Sequence, residues 1–333
     1  SSTISTSINS FKFMAQTRSL VVILGDQLNR DASAFDGFDV KQDAVWMAEV
    51  DEESTHIWSS KQRIALFISA MRHFAQALRK EKINLHYSEL GDPNNTQSIE
   101  GELSRTIALC NPSRLIMTAP GDWRVLEKIK QLALQTGIEL EIREDRYFFS
   151  TVREFFEHAK GRKQLRLEYW YRELRKKHRV LMDGDSPAGG EWNFDSENRS
   201  SFGKDGPPPI PPPLRLKPDR ITQEVIELVE SRFASHPGSV TASASGFGWP
   251  VNRQEALRVL DDFIQHRLPE FGVYQDAMWT DEPWLFHSHI ASALNLKLLS
   301  AQEVVKATEE AYRQGLAPIA AVEGFIRQIL GWR

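Results

Sequence analysis

The first stretch able to do chemistry is "ILGDQLNRD", in which Gly25, Asp26 and Gln27 follow a β-branched run. A carboxylate and an amide at the carboxyl end of a strand offer an acceptor and a donor to a polar ligand, and a glycine lets a backbone approach closely. A βα turn closed by a helix-capping Asp accounts for the same residues. The pattern is not G-x-G-x-x-G, so the dinucleotide fingerprint is absent. "AEVDEES" follows a second such run and carries Glu49, Asp51, Glu52 and Glu53. Adjacent strand ends bring one of these carboxylates near Asp26 and Gln27, where it can fix sugar-like hydroxyls. An acidic helix N-terminus favoured by the dipole also explains them.

Three further stretches bear on binding. "GRKQLRLEYWYRELRKKHR" holds eight Lys/Arg against two Glu, interleaved with Tyr169, Trp170 and Tyr171. Cations with aromatics suit phosphate backbones and exposed bases, and a solvated helix face over an aromatic core stripe gives the same pattern. "WLFHSHIASALN" sets His287 and His289 two apart, which on a helix puts them on different faces. That spacing argues against a metal site, while His287 and Ser288 at a helix start can bind phosphate or ribityl oxygens. "FGVYQDAMWTDEPW" is dense in aromatic and polar groups, as a planar ligand requires and as a packed helix–loop corner also requires.

The elements that position these residues follow from periodicity. Short β-branched runs at Ser19–Gly25, Asp43–Val50, Ile83–Leu90, Arg114–Pro120 and Ile138–Asp145 alternate with helical patterns. The clearest of these carries Ile64, Phe67, Ile68, Met71, Phe74 and Leu78 as a stripe, with Arg79, Lys80 and Lys82 in its last turn. Strands alternating with helices over about 130 residues predict a doubly wound parallel sheet. After Tyr147 the pattern becomes helix, break, helix, then a Gly/Pro/Ser/Asp-rich stretch whose polyproline part is extended. Helices are predicted at Ile221–Phe233, Arg253–Arg267, Pro283–Leu299, Ala301–Gln314 and from Ala317 onward. No stop signal follows the last of them, and in a form that ended there Phe325, Ile329 and Trp332 are expected to face water.

At 333 residues, with 41% hydrophobic and 26% charged side chains, the chain has the balance of a globular protein with two domains. The expected division is 1–13, a leader or non-native extension before Met14; 14–150, an α/β domain; 151–220, a helical and Pro-rich connector; and 221–333, a helical domain. The net charge of −4 argues against a generally basic nucleic-acid coat but leaves room for a local basic patch. The single cysteine, Cys110, excludes an internal disulfide and any cluster built from several thiolates of this chain. With no apolar run of about 18 residues, a cytoplasmic monomer without a membrane span is expected.

In order, "LVVILGDQL", "SAMRHFAQALR", "PGDWRV", "EYWYRELRKK", "GGEWNFDSENR", "YQDAM" and "VEGFIRQILGWR" resemble the iron–sulfur bacterial photolyases and cryptochromes, the deoxyribodipyrimidine photolyase-related proteins. The resemblance runs from about Leu20 to Arg333. It implies an α/β fold: a doubly wound parallel-sheet antenna domain, then an all-α, partial FAD-binding domain. It implies a 6,7-dimethyl-8-ribityllumazine antenna held by Gly25, Asp26, Gln27, Glu53 and Phe67. FAD would lie against Tyr274, Gln275, His287, Ser288, Ile290, Arg327, Gln328 and Arg333, and damaged DNA against Arg172, Arg175, Lys176 and Trp332. The sequence departs from the family pattern at Ala48, Phe67 and Ala291. The implied function is light-driven repair of UV-damaged pyrimidine pairs, (6-4) photoproducts above all, by electron transfer from reduced FAD. Family members continue beyond "GWR" into the rest of the flavin pocket, a repair histidine and four cluster cysteines, so this chain reads as an incomplete form that cannot itself hold the iron–sulfur cluster. The alternatives are a cryptochrome-type blue-light photoreceptor and a non-catalytic lumazine- or nucleotide-binding module.

Overall fold

Alternating side chains of three short runs divide between two apolar layers, and this builds the N-terminal half. The structure is a computed structural model that describes residues 17–241 and 246–332. The predicted leader and Arg333 lie outside the described residues. Strands β1 (Ser19–Val22), β2 (Ala44–Ala48), β3 (Leu85–Ser88), β4 (Arg114–Thr118) and β5 (Glu139–Arg143) form one parallel sheet in the order β3-β2-β1-β4-β5. Helices α1 (Asp51–Thr55), α2 (Lys61–Lys80), α3 (Ile99–Cys110) and α4 (Trp123–Thr136) make the crossovers. Val21, Val45, Met47 and Ile116 share a core with Ile64, Ile68 and Met71 of α2. Leu20, Val22, Trp46, Leu115 and Met117 point the other way, to Leu103 of α3 and Ile129 of α4. Residues i and i+1 of one strand thus serve opposite faces, as the pleat requires.

Local chemistry fixes the helix ends. Ser60, Ser98 and Asp122 accept hydrogen bonds from the first turns of α2, α3 and α4. Asn111 and Gly137 close α3 and α4 in the left-handed conformation.

The remainder is helical: α5 (Val152–Ala159), α6 (Leu167–His178), α7 (Arg220–Arg232), α8 (Arg253–His266), α9 (Leu268–Tyr274), α10 (Ala291–Asn295), α11 (Ala301–Arg313) and α12 (Ile319–Ile326), which continues as a π-helical turn over Arg327–Gly331. A two-residue hairpin, β6 (Met182–Asp183) with β7 (Ser186–Pro187), interrupts the connector. The helical part shares one apolar core with the α2 side of the sheet, and polar contacts add to it. Lys61 pairs with Glu230 at 2.7 Å, Arg232 with Asp51 at 2.5 Å, and the Tyr147 hydroxyl donates to the Leu294 and Leu299 carbonyls. Among the described residues no helix is long and apolar enough to cross a membrane.

Two expectations fail here. The helix predicted over Pro283–Leu299 is reduced to Ala291–Asn295. Leu285 and His289 take positive φ values of 43° and 57°, a left-handed backbone that breaks a helix on both sides of Phe286. The final helix does not present Phe325 and Ile329 to water: they are 3% and 6% exposed, and only Trp332, at 47%, is open. Phe325 packs on Phe263 of α8 and Phe271 of α9, and Gly331 lies against Tyr171 of α6.

Candidate functional site

The order of the sheet places β1 beside both β2 and β4, so the chain turns to opposite faces at the β1/β4 boundary. A crevice opens there, outside the carboxyl ends of the strands. It holds a cavity of about 560 Å³, within the usual range of small-molecule sites, about 300–1,000 Å³. Ile23, Leu24 and Trp46 make the floor; Ile64, Phe67 and Met71 of α2 make one wall; Gly121, Asp122, Trp123 and Val125 at the start of α4 make the other. Gly25, Asp26, Glu53 and Phe67, four residues expected to act together, all line it.

Gln27 does not line it. Its side chain is 1% exposed, accepts from Leu24 N at 3.4 Å and donates to the Thr118 carbonyl at 3.1 Å. The amide therefore ties the end of β1 to the end of β4 beneath the cavity. Gly25 sits close under α2: a Cβ there would meet Met71 Sδ at 3.1 Å, a tight contact that the Met71 side chain would have to relieve.

The acidic run behaves as the sugar-fixing and the helix-N-terminus readings both allow. Glu53 lines the cavity and accepts from Arg124 at 2.7 Å, while Arg124 also reaches Glu52 at 3.2 Å and Asp122 at 3.3 Å. Burial opposes protonation of Arg124, but Glu53 and Asp122 outweigh it and hold the guanidinium above its ordinary range. Glu49, fully buried at the cavity edge, forms a bidentate pair with Arg72 (2.8 and 3.0 Å) and accepts from Tyr87 Oη and Leu90 N. Burial and then Glu49 push the Tyr87 hydroxyl well up.

Reading from sequence missed Arg63, Met71 and Trp123 as lining residues. The signal for two of them was present: Arg63, Phe67 and Met71 stand four apart on α2, so they share a face. Trp123 is 70% exposed and follows the capping Asp122, a position that no core pattern marks.

The residues expected around a flavin are gathered by α9, the loop after it and α12. Tyr274 stacks between Phe202 (4.7 Å) and Phe286 (5.5 Å). Gln275 Oε1 is buried with no hydrogen-bond partner, close to Gly324, whose carbonyl accepts from the Gln328 amide at 3.4 Å. His287 and Ser288 are half-buried and Ile290 is buried. Burial pushes the His287 and His289 imidazoles down. Arg327, also expected at the flavin, is 6% exposed and lies 3.2 Å from Asp195 and 3.6 Å from Glu323.

Of the cations expected at DNA, Arg175 is fully buried, and its guanidinium donates to the carbonyls of Val180, Leu181 and Trp192. Arg172, Arg175 and Lys176 gather around Trp192, at 5.7, 5.2 and 5.2 Å from its ring. Lys176 is exposed, and Arg172 pairs with Glu168 at 2.8 Å. Among the described residues no group of three or more His, Cys, Asp or Glu is placed to hold a metal ion.

A doubly wound sheet with a ligand-sized cavity at its switch point, followed by a helical part, defines an α/β architecture, and comparison with known proteins places it further. The deoxyribodipyrimidine photo-lyase-related protein family matches residues 21–244, and the chain belongs to that family. It is 46% identical over 319 residues to a (6-4) photolyase of Agrobacterium fabrum, covering 94% of this chain and 61% of that protein. The chain thus spans about three-fifths of the length of that relative. The crystal structure of a bacterial class III photolyase from Agrobacterium tumefaciens matches the whole chain over 59% of its own length, with a TM-score of 0.55 at 16% identity, a likeness of fold.

Proposed function

We propose that this chain serves light-driven repair of UV-damaged pyrimidine pairs in DNA, (6-4) photoproducts in particular, with the sheet domain collecting light and the helical domain contributing to a flavin site. The observation that carries this reading is the 46% identity to a (6-4) photolyase over nearly the whole chain. The cavity geometry supports the light-collecting part. Phe67 and Met71 on one side and Trp123 and Val125 on the other form an apolar slot for a fused ring such as a ribityllumazine, and Asp26 and Glu53 supply acceptors for its polar groups. The buried, unpartnered Gln275 Oε1 fits an N–H donor, as a flavin ring presents.

When bound, reduced FAD excited by light supplies an electron to the lesion, and the protein supplies position and electrostatics. Tyr274, Gln275, His287, Ser288 and Ile290 would hold it. The exposed Lys176, with Arg172 beside it, attracts the phosphate backbone, so that a damaged base can be turned out of the duplex.

The test is a repair assay. The chain, supplied with reduced FAD and 6,7-dimethyl-8-ribityllumazine, is illuminated with an oligonucleotide bearing one (6-4) photoproduct, and intact pyrimidines are counted by chromatography. Light-dependent restoration is the expected result. Bound pigments with no restoration under light overturn the reading.

A further inference from the structure

The run "PPPIPPP", residues 207–213, has no place in the sites described above. Proline fixes φ at about −65° and holds the residue before it extended, so such a run takes the polyproline II helix, with about three residues per turn. Burial follows that period. Pro207, Ile210 and Pro213 are half-buried and Leu216 is buried, so one edge of the helix lies on the protein. Pro209, Pro212 and Arg215, on a second edge, are all exposed. Pro208, on the third, is exposed as well.

The run is pinned at both ends. Before it, Gly206 has a φ of 81° and lies against the Trp279 indole, where a Cβ would meet the ring at 3.2 Å. At its far end Arg267 donates to the Pro212 carbonyl at 3.5 Å, Leu214 N to Asp262 at 3.2 Å and Leu216 N to the Gly248 carbonyl at 3.3 Å. Among the described residues, nothing donates to the carbonyls of residues 207–211. Lys204 and Lys217, one beyond each end, are exposed and have no ion-pair partner among the described residues.

We infer that this run is a preformed polyproline II ligand for a partner protein whose groove is lined with aromatic side chains and rimmed with carboxylates. Grooves of that kind take up prolines three apart, and a Trp N–H or Tyr O–H in them can donate to the bare carbonyls between. Pro209 and Pro212 are the outward pair, and the carbonyls of 207–211 are the free acceptors. Pinning holds the run in its bound form, so little ordering cost remains to be met on association. The acidic rim follows from Lys204, Arg215 and Lys217 at the two ends. A nucleic-acid partner fits less well: affinity for a duplex comes from neutralised phosphates, and the seven central residues carry no charge.

The test titrates the chain into three isotope-labelled probes, an SH3, a WW and an EVH1 domain, followed by NMR. Saturable shifts confined to the aromatic groove of at least one probe are expected. Pro209→Ala with Pro212→Ala is expected to weaken that binding at least about tenfold, because two buried ring contacts are lost. Both positions are exposed, so the melting temperature should not move. Lys204→Glu with Lys217→Glu is expected to weaken binding at low salt and to matter less at high salt. No shift in any probe overturns the inference, as does binding that the double proline variant leaves unchanged. Weaker binding of a duplex oligonucleotide by that variant, with no probe responding, also overturns it and makes the run a DNA contact.

Discussion

Arg72 holds Glu49 by two parallel hydrogen bonds, Nε to Oε1 at 2.8 Å and Nη2 to Oε2 at 3.0 Å, and this pair joins α2 to the end of β2 at the edge of the cavity. The Glu49 side chain has no exposed surface and also receives Tyr87 Oη at 2.5 Å and Leu90 N at 2.9 Å. Burial opposes the charge on Arg72, but the carboxylate outweighs it and raises the guanidinium above its ordinary range.

Removing one partner leaves the other buried and unpaired. Arg72→Met is expected to lower unfolding stability by about 3–5 kcal/mol. The double variant Arg72→Met with Glu49→Met is expected to cost clearly less than the sum of the two singles. Urea unfolding of all four proteins measures the coupling, and additive costs would mean that the pair does not act as a unit.

Glu323 predicts a pH dependence. It is fully buried on α12, where it accepts from Tyr171 Oη at 2.8 Å and Phe194 N at 3.1 Å. Burial raises its pKa, and Arg327 only partly opposes this. A carboxyl raised in the folded state stabilises the fold fully below its unfolded value, about 4.3 for Glu, and that contribution is lost as pH rises through the folded value. Relative to Glu323→Gln, the unaltered chain is therefore expected to be most favoured near pH 4.5 and to lose ground toward pH 8. Urea unfolding across that range checks it; a gap that widens with pH would mean that Arg327 dominates instead.

Asp43 has the opposite sign. Burial works to raise its pKa, but hydrogen bonds from Arg18 and the Asp39 amide outweigh burial and lower it. Its contribution is expected to be present above about pH 4 and lost as pH falls further. The excess stability of the unaltered chain over Asp43→Asn, measured between pH 2.5 and 6, should therefore shrink on acidification.

Two glycines test how closely α9 and α12 approach. A Cβ on Gly272 would lie 2.5 Å from Ala321 Cα, which is backbone, while one on Gly324 would lie 2.7 Å from Asn198 Nδ2 and 3.2 Å from Gln275 Oε1, which are side-chain ends. Overpacking of this kind costs about 1–3 kcal/mol, and more where backbone must move. Gly272→Ala is expected to lower the melting temperature more than Gly324→Ala. The reverse order would contradict the close crossing.

The basic segment separates a structural cation from a surface one. Arg175→Ala removes donors from the buried Val180 and Leu181 carbonyls and the partly buried Trp192 carbonyl, and is expected to destabilise by about 3 kcal/mol or more. Lys176→Ala is expected to leave stability within about 0.5 kcal/mol, to weaken DNA binding regardless of sequence, and to flatten the salt dependence by about one unit of slope. Melting curves and salt-dependent anisotropy titrations distinguish the two.

The strand runs and α2 were legible because a buried parallel strand and an amphipathic helix each write a period into consecutive residues. Gly25, Asp26, Glu53 and Phe67 were legible as a set through the resemblance, and the sheet order brings them to one cavity. What periodicity cannot show is the partner in space. Phe325 and Ile329 form a stripe whose cover comes from α6, α8 and α9, distant in sequence. Arg175 sits among exposed cations in the sequence, and nothing local says that the Trp192 carbonyl waits beneath it. The place of Gln27 beneath the cavity was hidden for the same reason: its acceptor, the Thr118 carbonyl, lies 91 positions away.

The most direct test of the central claim, that the crevice at the strand ends binds a planar chromophore, is an equilibrium titration of the chain with 6,7-dimethyl-8-ribityllumazine followed by fluorescence anisotropy, beside the variant Ala48→Trp. Ala48 lines the cavity at the end of β2, and an indole there would fill it. Saturable one-to-one binding to the unaltered chain and its loss in the folded variant are predicted. No saturable binding, or equal binding by the filled variant, would contradict the account.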